Sequence, residues 1–166
     1  MAAAVLWWRV TRSLATRRLQ MLWTVVTTAC PSVVLNRELL AASAHGQRLA
    51  AERLPVEIHD GWLYLRYYLT EAHVAVVDDL ARRTGCDDAT VAAAHLMVAI
   101  QHKNLPGARP TAAPPVEHLG TSEHKTLVAE VRFLCEVSKR LRSRFVRDVL
   151  AGIPAEPDNV ALPHTI

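Results

Sequence analysis

The densest group of charged side chains in the sequence is basic and lies in its last third. Five cations fall within nine residues: Lys139, Arg140, Arg142, Arg144 and Arg147. Such a run on a helix can neutralise phosphates, so it predicts contact with an anion such as RNA, an anionic phospholipid or an acidic protein. The alternative is a set of ion pairs with acidic residues of the chain itself.

A second basic group lies at the N-terminus. Arg9, Arg12, Arg17 and Arg18 belong to a segment that contains no acidic residue before Glu38. An Arg-rich, acid-free segment that can form an amphipathic helix is typical of a mitochondrial import segment. These four arginines are therefore also predicted to contact lipid headgroups or other anions.

The N-terminal segment also contains an uncharged run, residues 19–36. As a helix it would extend roughly 27 Å, close to the thickness of the hydrocarbon core of a bilayer. Its threonines and Pro31 argue against a membrane span, whereas Trp7, Trp8 and Trp23 suit the interface on either side. The sequence leaves two alternatives, a membrane-embedded helix or a helix that packs on protein and ends near Cys30.

The histidines and cysteines do not form a recognisable catalytic or metal-binding pattern. His95 and His102 can share a helix face, but no carboxylate lies three or four residues from them in the way that metal sites in helical bundles require. His118, Glu123 and His124 lie in or beside a loop. Cys86 precedes a helix, where Asp87 and Asp88 oppose its activation. We predict no catalytic residues, no metal and no cofactor. For Cys30, Cys86 and Cys135 the spacing favours free thiols, and one disulfide with one spare thiol is the alternative.

These side chains must be positioned by helices. Of the 166 residues, 51% are hydrophobic with many alanines, and only six are glycine, a composition that favours helix over sheet. The predicted fold is all-α, a small bundle of four to five helices with an amphipathic or membrane-embedded helix at the N-terminus. An extended Pro-rich loop and a C-terminal arm complete it.

In the first half of the chain, apolar spacing predicts a helix over 33–54 that Pro55 ends. A turn is expected at 59–61, followed by a helix from Trp62 to Arg83. The aromatic first half of that run also suits a strand, but no breaker separates it from the helical second half. Gly85 is expected to end this helix.

In the second half, Asp87 or Asp88 is expected to cap a helix that reaches Asn104 and forms the core of the fold, because it is apolar on almost all sides. A last helix is capped by Thr121 or Ser122, and Ser138 interrupts its apolar stripe. The predicted divisions are the N-terminal segment 1–37, the helical core 38–105, the Pro-rich loop 106–121, the basic amphipathic helix 122–152 and the extended arm 153–166.

Together these features predict a non-catalytic accessory subunit of a large mitochondrial inner-membrane complex, of the respiratory-chain or ATP-synthase type. It would act as a scaffold, with arginines that hold lipid headgroups or acidic subunits. A mitochondrial ribosomal protein that contacts rRNA is the alternative, although a net charge of +3 and an acidic middle region suit RNA poorly. A small helical enzyme is the third hypothesis.

Overall fold

The protein is described by a computed structural model. It describes the backbone of residues 2–34, 44–119 and 126–153, and the side chains of residues 14–34, 53–119 and 126–153. The predicted all-α class is confirmed, with six helices and no strand in these ranges. The helices are α1 (Ala2–Ala29), α2 (Ala44–Leu65), α3 (Glu71–Thr84), α4 (Asp88–Lys103), α5 (Leu127–Arg140) and α6 (Arg144–Gly152).

Helix α4 lies at the centre of the bundle, as its sequence predicts. It contacts α2, α3, α5 and α6, and it buries residues on almost every side. Four alanines, Ala92, Ala93, Ala94 and Ala99, are completely buried. Because alanine is small, the surrounding helices can all approach the α4 backbone. The core of the fold is therefore built around this one helix.

The N-terminus of α4 is held by Asp87. Its carboxylate accepts hydrogen bonds from the Thr90 backbone N–H at 2.8 Å and the Thr90 hydroxyl at 2.5 Å, and it forms an ion pair with Arg140 at 2.9 Å. The Thr90 side chain is the largest influence that lowers the pKa of this carboxyl. One side chain thus caps the central helix and ties it to the end of α5.

We expect Asp87→Ala to lower the free energy of unfolding by about 1–2 kcal/mol, because it removes the cap of the central helix. Asp87→Asn should lose much less, since asparagine caps helices about as well as aspartate. Denaturant unfolding of both variants measures the difference. Equal losses would show that the Arg140 ion pair, and not the cap, is what stabilises this corner.

The predicted boundary at Pro55 and the predicted turn at 59–61 are both wrong. Helix α2 continues through Pro55 to Leu65. Proline removes one backbone hydrogen bond, but Leu54, Ile58 and Trp62 lie on one face of the helix and are buried in the core. The burial of this continuous apolar face offsets the local cost of the proline.

The chain instead breaks within the run that the sequence predicts as one helix, 62–83. Residues Arg66–Tyr68 form a 3-10 turn, and Thr70 then caps α3 in a capping box with His73. The predicted end of this helix is confirmed, since Gly85 has a left-handed backbone with φ of 65°. The alternative strand is not formed.

The predicted single C-terminal helix is also divided. Helix α5 ends at Arg140, and Ser143 caps α6 by accepting a hydrogen bond from the Val146 N–H at 3.2 Å. Thr126 caps α5; the predicted caps Thr121 and Ser122 lie outside the described residues. The break divides the basic run between two helices and the turn that joins them.

The predicted membrane-embedded helix over 19–36 is not supported. Helix α1 ends at Ala29, and a short 3-10 turn, Pro31–Val33, follows. Leu19, Leu22 and Val26 are buried against the other helices. No helix in the described part of the chain combines the length and the apolar character that a bilayer crossing requires.

The Pro-rich loop lies over the 3-10 turn that joins α2 to α3. Thr111 donates from its backbone N–H and its hydroxyl to the Tyr67 carbonyl, at 2.7 and 2.9 Å. Arg66 Nη1 donates to the Glu117 carbonyl at 2.8 Å. The first pair of bonds satisfies the Tyr67 carbonyl, which has no helical partner after the end of α2, and the second satisfies a carbonyl of the loop. The C-terminal arm from residue 154 lies outside the described residues.

Candidate anion-binding surface

The site with the most charge is built by the packing of α1 against α5. Ser138 is buried, and its hydroxyl donates to the Arg18 carbonyl at 2.8 Å. The Cys135 thiol lies 3.6 Å from the Ala15 carbonyl. Small side chains at Ala15, Cys135 and Ser138 allow the two helices to lie close together. Ser138 interrupts the apolar stripe in the sequence, and in the fold it forms a hydrogen bond between α5 and α1.

This packing brings the two basic groups of the sequence together. Burial raises the pKa of the Cys135 thiol, while the positive charges of Arg18 and Lys139 act on it in the opposite direction. Arg18 lies on α1 at the Ser138 contact, and Lys139 follows Ser138 on α5, so this contact brings one cation of each basic group to the junction of the two helices. Arg17 adjoins Arg18 in the chain, and Arg142 lies in the turn that follows α5. We call these four residues, Arg17, Arg18, Lys139 and Arg142, the cationic surface.

Within the described ranges, three of the four residues of the cationic surface form no ion pair with a carboxylate. Lys139 is paired with Glu136, one turn earlier on α5. Among the residues that the structure describes, no acidic side chain forms an ion pair with Arg17, Arg18 or Arg142. The surface thus presents four cations against one carboxylate, an excess that attracts anions from outside the chain.

The remaining cations of the predicted site are placed differently. Arg140 is held by Asp87, and Arg144 pairs with Asp148 at 3.5 Å. Arg147 Nη1 donates to the Arg142 carbonyl at 3.4 Å. Because the chain breaks between α5 and α6, these residues do not share one continuous helix face. The side chains of Arg9 and Arg12, which belong to α1, lie outside the described residues.

Exposed apolar side chains lie beside the cationic surface. Leu14 is 44% exposed and Met21 is 39% exposed, and both lie on α1 within one helical turn of Arg17. Sequence analysis missed them because they were assigned to an import segment or a membrane span. Leu19, Leu22 and Val26 on the opposite face of α1 are buried. The helical spacing of the apolar residues in α1 separates these two groups, and it was the signal from which two faces could have been recognised.

The histidines that share a predicted face have separate partners. His95 is buried, and its Nε2 lies 3.5 Å from Asp78 Oδ1. Burial lowers the pKa of His95, and Asp78 opposes that shift. The His102 Nδ1–H donates to the Tyr68 carbonyl at 2.7 Å. His118 lies 3.8 Å from its sequence neighbour Glu117, while Glu123 and His124 lie outside the described residues.

The thiols show no nucleophile arrangement. All three are free; Cys30 and Cys135 are buried, and burial raises the pKa of each. Cys86 is half-buried, with Sγ 3.2 Å from the Thr84 hydroxyl. Within the described ranges, no three His, Cys, Asp or Glu residues converge on a common point. In the described part of the chain, the arrangement that has a direct chemical consequence is therefore the cationic surface.

Residues 6–143 match a family described as a family of unknown function (DUF6545). The matched region runs from the first turns of α1 to the end of the α5–α6 connection, so it includes both helices of the cationic surface. No curated protein and no solved structure matches the chain.

Proposed function

Since the chain belongs to the DUF6545 family, whose function is unknown, we propose a function from its own surface. It is a non-catalytic accessory subunit of a larger protein assembly, and it holds an acidic neighbouring subunit through the cationic surface. The observation that carries this proposal is the packing of α1 on α5, which brings the two basic groups together, while no acidic side chain among the described residues forms an ion pair with Arg17, Arg18 or Arg142.

The mixture of charge and apolar exposure favours a protein partner. Arginine and methionine are enriched at protein interfaces, and Leu14 and Met21 add apolar area beside the arginines. RNA binding, the alternative function, would suit a more uniformly basic chain. Here an exposed carboxylate pair, Asp87 and Asp88, and the partly exposed Asp78 and Asp79 lie elsewhere on the same small bundle.

The position in a mitochondrial inner-membrane complex stays a prediction, and so does contact with anionic phospholipid. The acid-free N-terminal arginines support the location by their attraction to a negative-inside potential. Fractionation of cells that express the tagged chain checks it. Recovery in the mitochondrial fraction is the expected result, and recovery elsewhere would contradict the location without affecting the cationic surface.

The assembly is tested by purifying the tagged chain from its native cells under mild conditions and measuring its size by native gel separation and mass spectrometry. We expect the wild-type chain in a large complex. Changing Arg17, Arg18, Lys139 and Arg142 to glutamine should release it, because the charges that attract the acidic neighbour are gone.

A matched control changes four cations outside the cationic surface to glutamine: Arg82, Arg83, Lys103 and Arg109. This variant has the same net charge as the first and should remain in the complex. Thermal unfolding shows whether both variants are folded. A free wild-type monomer, equal retention of both variants, or release by nuclease would each contradict the proposed function.

A further inference from the structure

Helix α3 is attached to the bundle by a small apolar contact. Of its 14 residues, Val77 and Ala81 are buried, and Val74 and Leu80 pack partly against the core. Helix α4, by contrast, buries nine of its 16 residues. Because α3 buries little apolar surface, its polar contacts provide a large share of what holds it in place.

Three histidines lie where α3 meets α4. His73 is in the first turn of α3, and its ring meets the ring of His102 on α4 edge to face, with the two centroids 4.9 Å apart. The buried His95 of α4 lies 3.5 Å from Asp78 of α3, measured from Nε2 to Oδ1. Each of these two contacts between the helices therefore depends on the protonation state of a histidine.

The cap of α3 requires an uncharged His73. The Thr70 backbone N–H donates to His73 Nδ1 at 3.2 Å, and the His73 backbone N–H donates to the Thr70 hydroxyl at 3.2 Å, which completes the capping box. A ring nitrogen that accepts a hydrogen bond carries no proton, whereas a protonated histidine carries a hydrogen on both ring nitrogens. Protonation of His73 therefore removes half of the capping box.

His102 can take up a proton without losing its own hydrogen bond. Its Nδ1–H donates to the Tyr68 carbonyl at 2.7 Å, so the added proton goes to Nε2. The charged ring then stays beside His73, with the centroids 4.9 Å apart. Protonation of both rings places two positive charges next to each other across the contact of α3 with α4, which is unfavourable.

The buried His95 acts in the same direction. Burial is the larger influence on this residue and lowers its pKa, and the charge of Asp78 is the smaller influence, in the opposite sense. Asp78 is half-exposed, so water weakens its attraction for a charged His95. When α3 leaves, His95 reaches water and binds a proton that the attached state excludes, so a fall in pH favours the released state.

We propose that α3 is an acid-released helix: protonation of the histidines at its contact with α4 detaches α3 while the other described helices stay folded. This conformational device goes beyond the function proposed above and does not depend on the cationic surface. Its consequence is that acid uncovers the side of α4 that contains His95 and His102.

The other charged groups of this region do not respond in the same pH range. Helices α4 and α6 pack against α3, and the 3-10 turn packs against α4 beside His102. These four described elements also contain carboxylates, cations and tyrosines: Glu71, Asp78, Asp79, Arg82 and Arg83 on α3, Asp88 and Lys103 on α4, Arg144, Arg147 and Asp148 on α6, and Arg66, Tyr67 and Tyr68 in the turn. Such side chains ordinarily keep their charge state between pH 7.5 and 5.0, whereas histidine changes its own.

The test measures amide hydrogen exchange of the complete 166-residue chain by NMR, residue by residue, between pH 7.5 and 5.0. Protection factors remove the pH dependence of the exchange reaction itself. We expect the protection of α3 amides to fall at least about tenfold over this range, because each histidine that the attached state keeps uncharged shifts the equilibrium by up to about tenfold for each pH unit below 6.5. At pH 5.0, α3 amides should be at least about tenfold less protected than α5 amides, since α3 opens while α5 stays folded.

His73→Gln is the informative variant. A glutamine at this position of a capping box can accept from the Thr70 N–H at every pH, so the cap is kept and the titrating ring is removed. Its α3 amides should lose at least about threefold less protection on acidification than those of the wild type. His118→Gln, at an exposed loop position, is the matched control and should behave as the wild type. Thermal unfolding at pH 7.5 shows that both variants are folded.

Three results would overturn the inference. The first is protection of α3 amides that does not change with pH. The second is equal protection of α3 and α5 amides at pH 5.0, which would mean that α3 opens only when the whole bundle unfolds. The third is a His73→Gln protein whose α3 amides respond to acid as strongly as those of the wild type.

Discussion

Replacing Gly61 by alanine is expected to lower the free energy of unfolding by about 1–3 kcal/mol, the cost of overpacking a core. Gly61 lies within α2, and a Cβ built on it would collide with Val26 Cγ1 of α1. Valine is stiff about χ1, so this methyl group cannot turn away cheaply. Elsewhere in a helix, the same substitution would stabilise the protein. Thermal or denaturant unfolding measures the change.

Gly152 provides the matched control, because it lies in α6 and a Cβ there meets no atom within 4 Å. Gly152→Ala should leave the stability unchanged or slightly raise it. Adding Val26→Ala to Gly61→Ala removes the colliding methyl group, so the double variant should lose less stability than the sum of the two single losses. A Gly61→Ala protein as stable as the wild type would show that α1 and α2 do not cross here.

His95→Leu is expected to make the protein less sensitive to acid. Burial in the bundle is the larger influence on His95 and lowers its pKa below the usual 6.5, while Asp78 acts in the other direction. As the pH falls below 6.5, the unfolded chain binds a proton that the folded chain does not. Stability then decreases by at most about 1.4 kcal/mol for each pH unit. Above pH 6.5 both states are neutral at this residue and the effect disappears.

The measurement is the free energy of unfolding of both proteins at several values between pH 7.5 and 5.0. The gap between His95→Leu and the wild type should grow in favour of the variant as the pH falls. Asp78 is partly exposed and remains hydrated when its neighbour is removed. His118→Gln, at an exposed loop position, should follow the wild-type curve. Parallel curves for His95→Leu and the wild type would mean that His95 has the same pKa in the folded and unfolded states, which would contradict the prediction.

The sequence predicted the basic runs of the cationic surface, but neither their partners nor their contact with each other. The runs that contain Arg17, Arg18, Lys139 and Arg142 were recognisable from their density of charge alone. Which cations lack partners depends on contacts between distant parts of the chain, such as the pairing of Arg140 with Asp87. The juxtaposition of the two runs depends on the packing of α1 against α5, where the Ser138 hydroxyl donates to the Arg18 carbonyl across 120 residues of sequence.

Local signals were sufficient where a single strong preference acts alone. The all-α class follows from alanine content, the central position of α4 from its apolar sides, and the ends at Asp87 and Gly85 from capping chemistry. At Pro55 the neighbouring helices outweigh the local preference of proline, because burying Ile58 and Trp62 stabilises more than one lost hydrogen bond costs. The sequence also did not predict the breaks at 66–70 and 141–143. Which face of α1 is covered is likewise a property of its neighbours. The exposed residues Leu14 and Met21 are as apolar as the buried Leu19 and Leu22, so the sequence of α1 does not show which of its faces α2 and α5 cover.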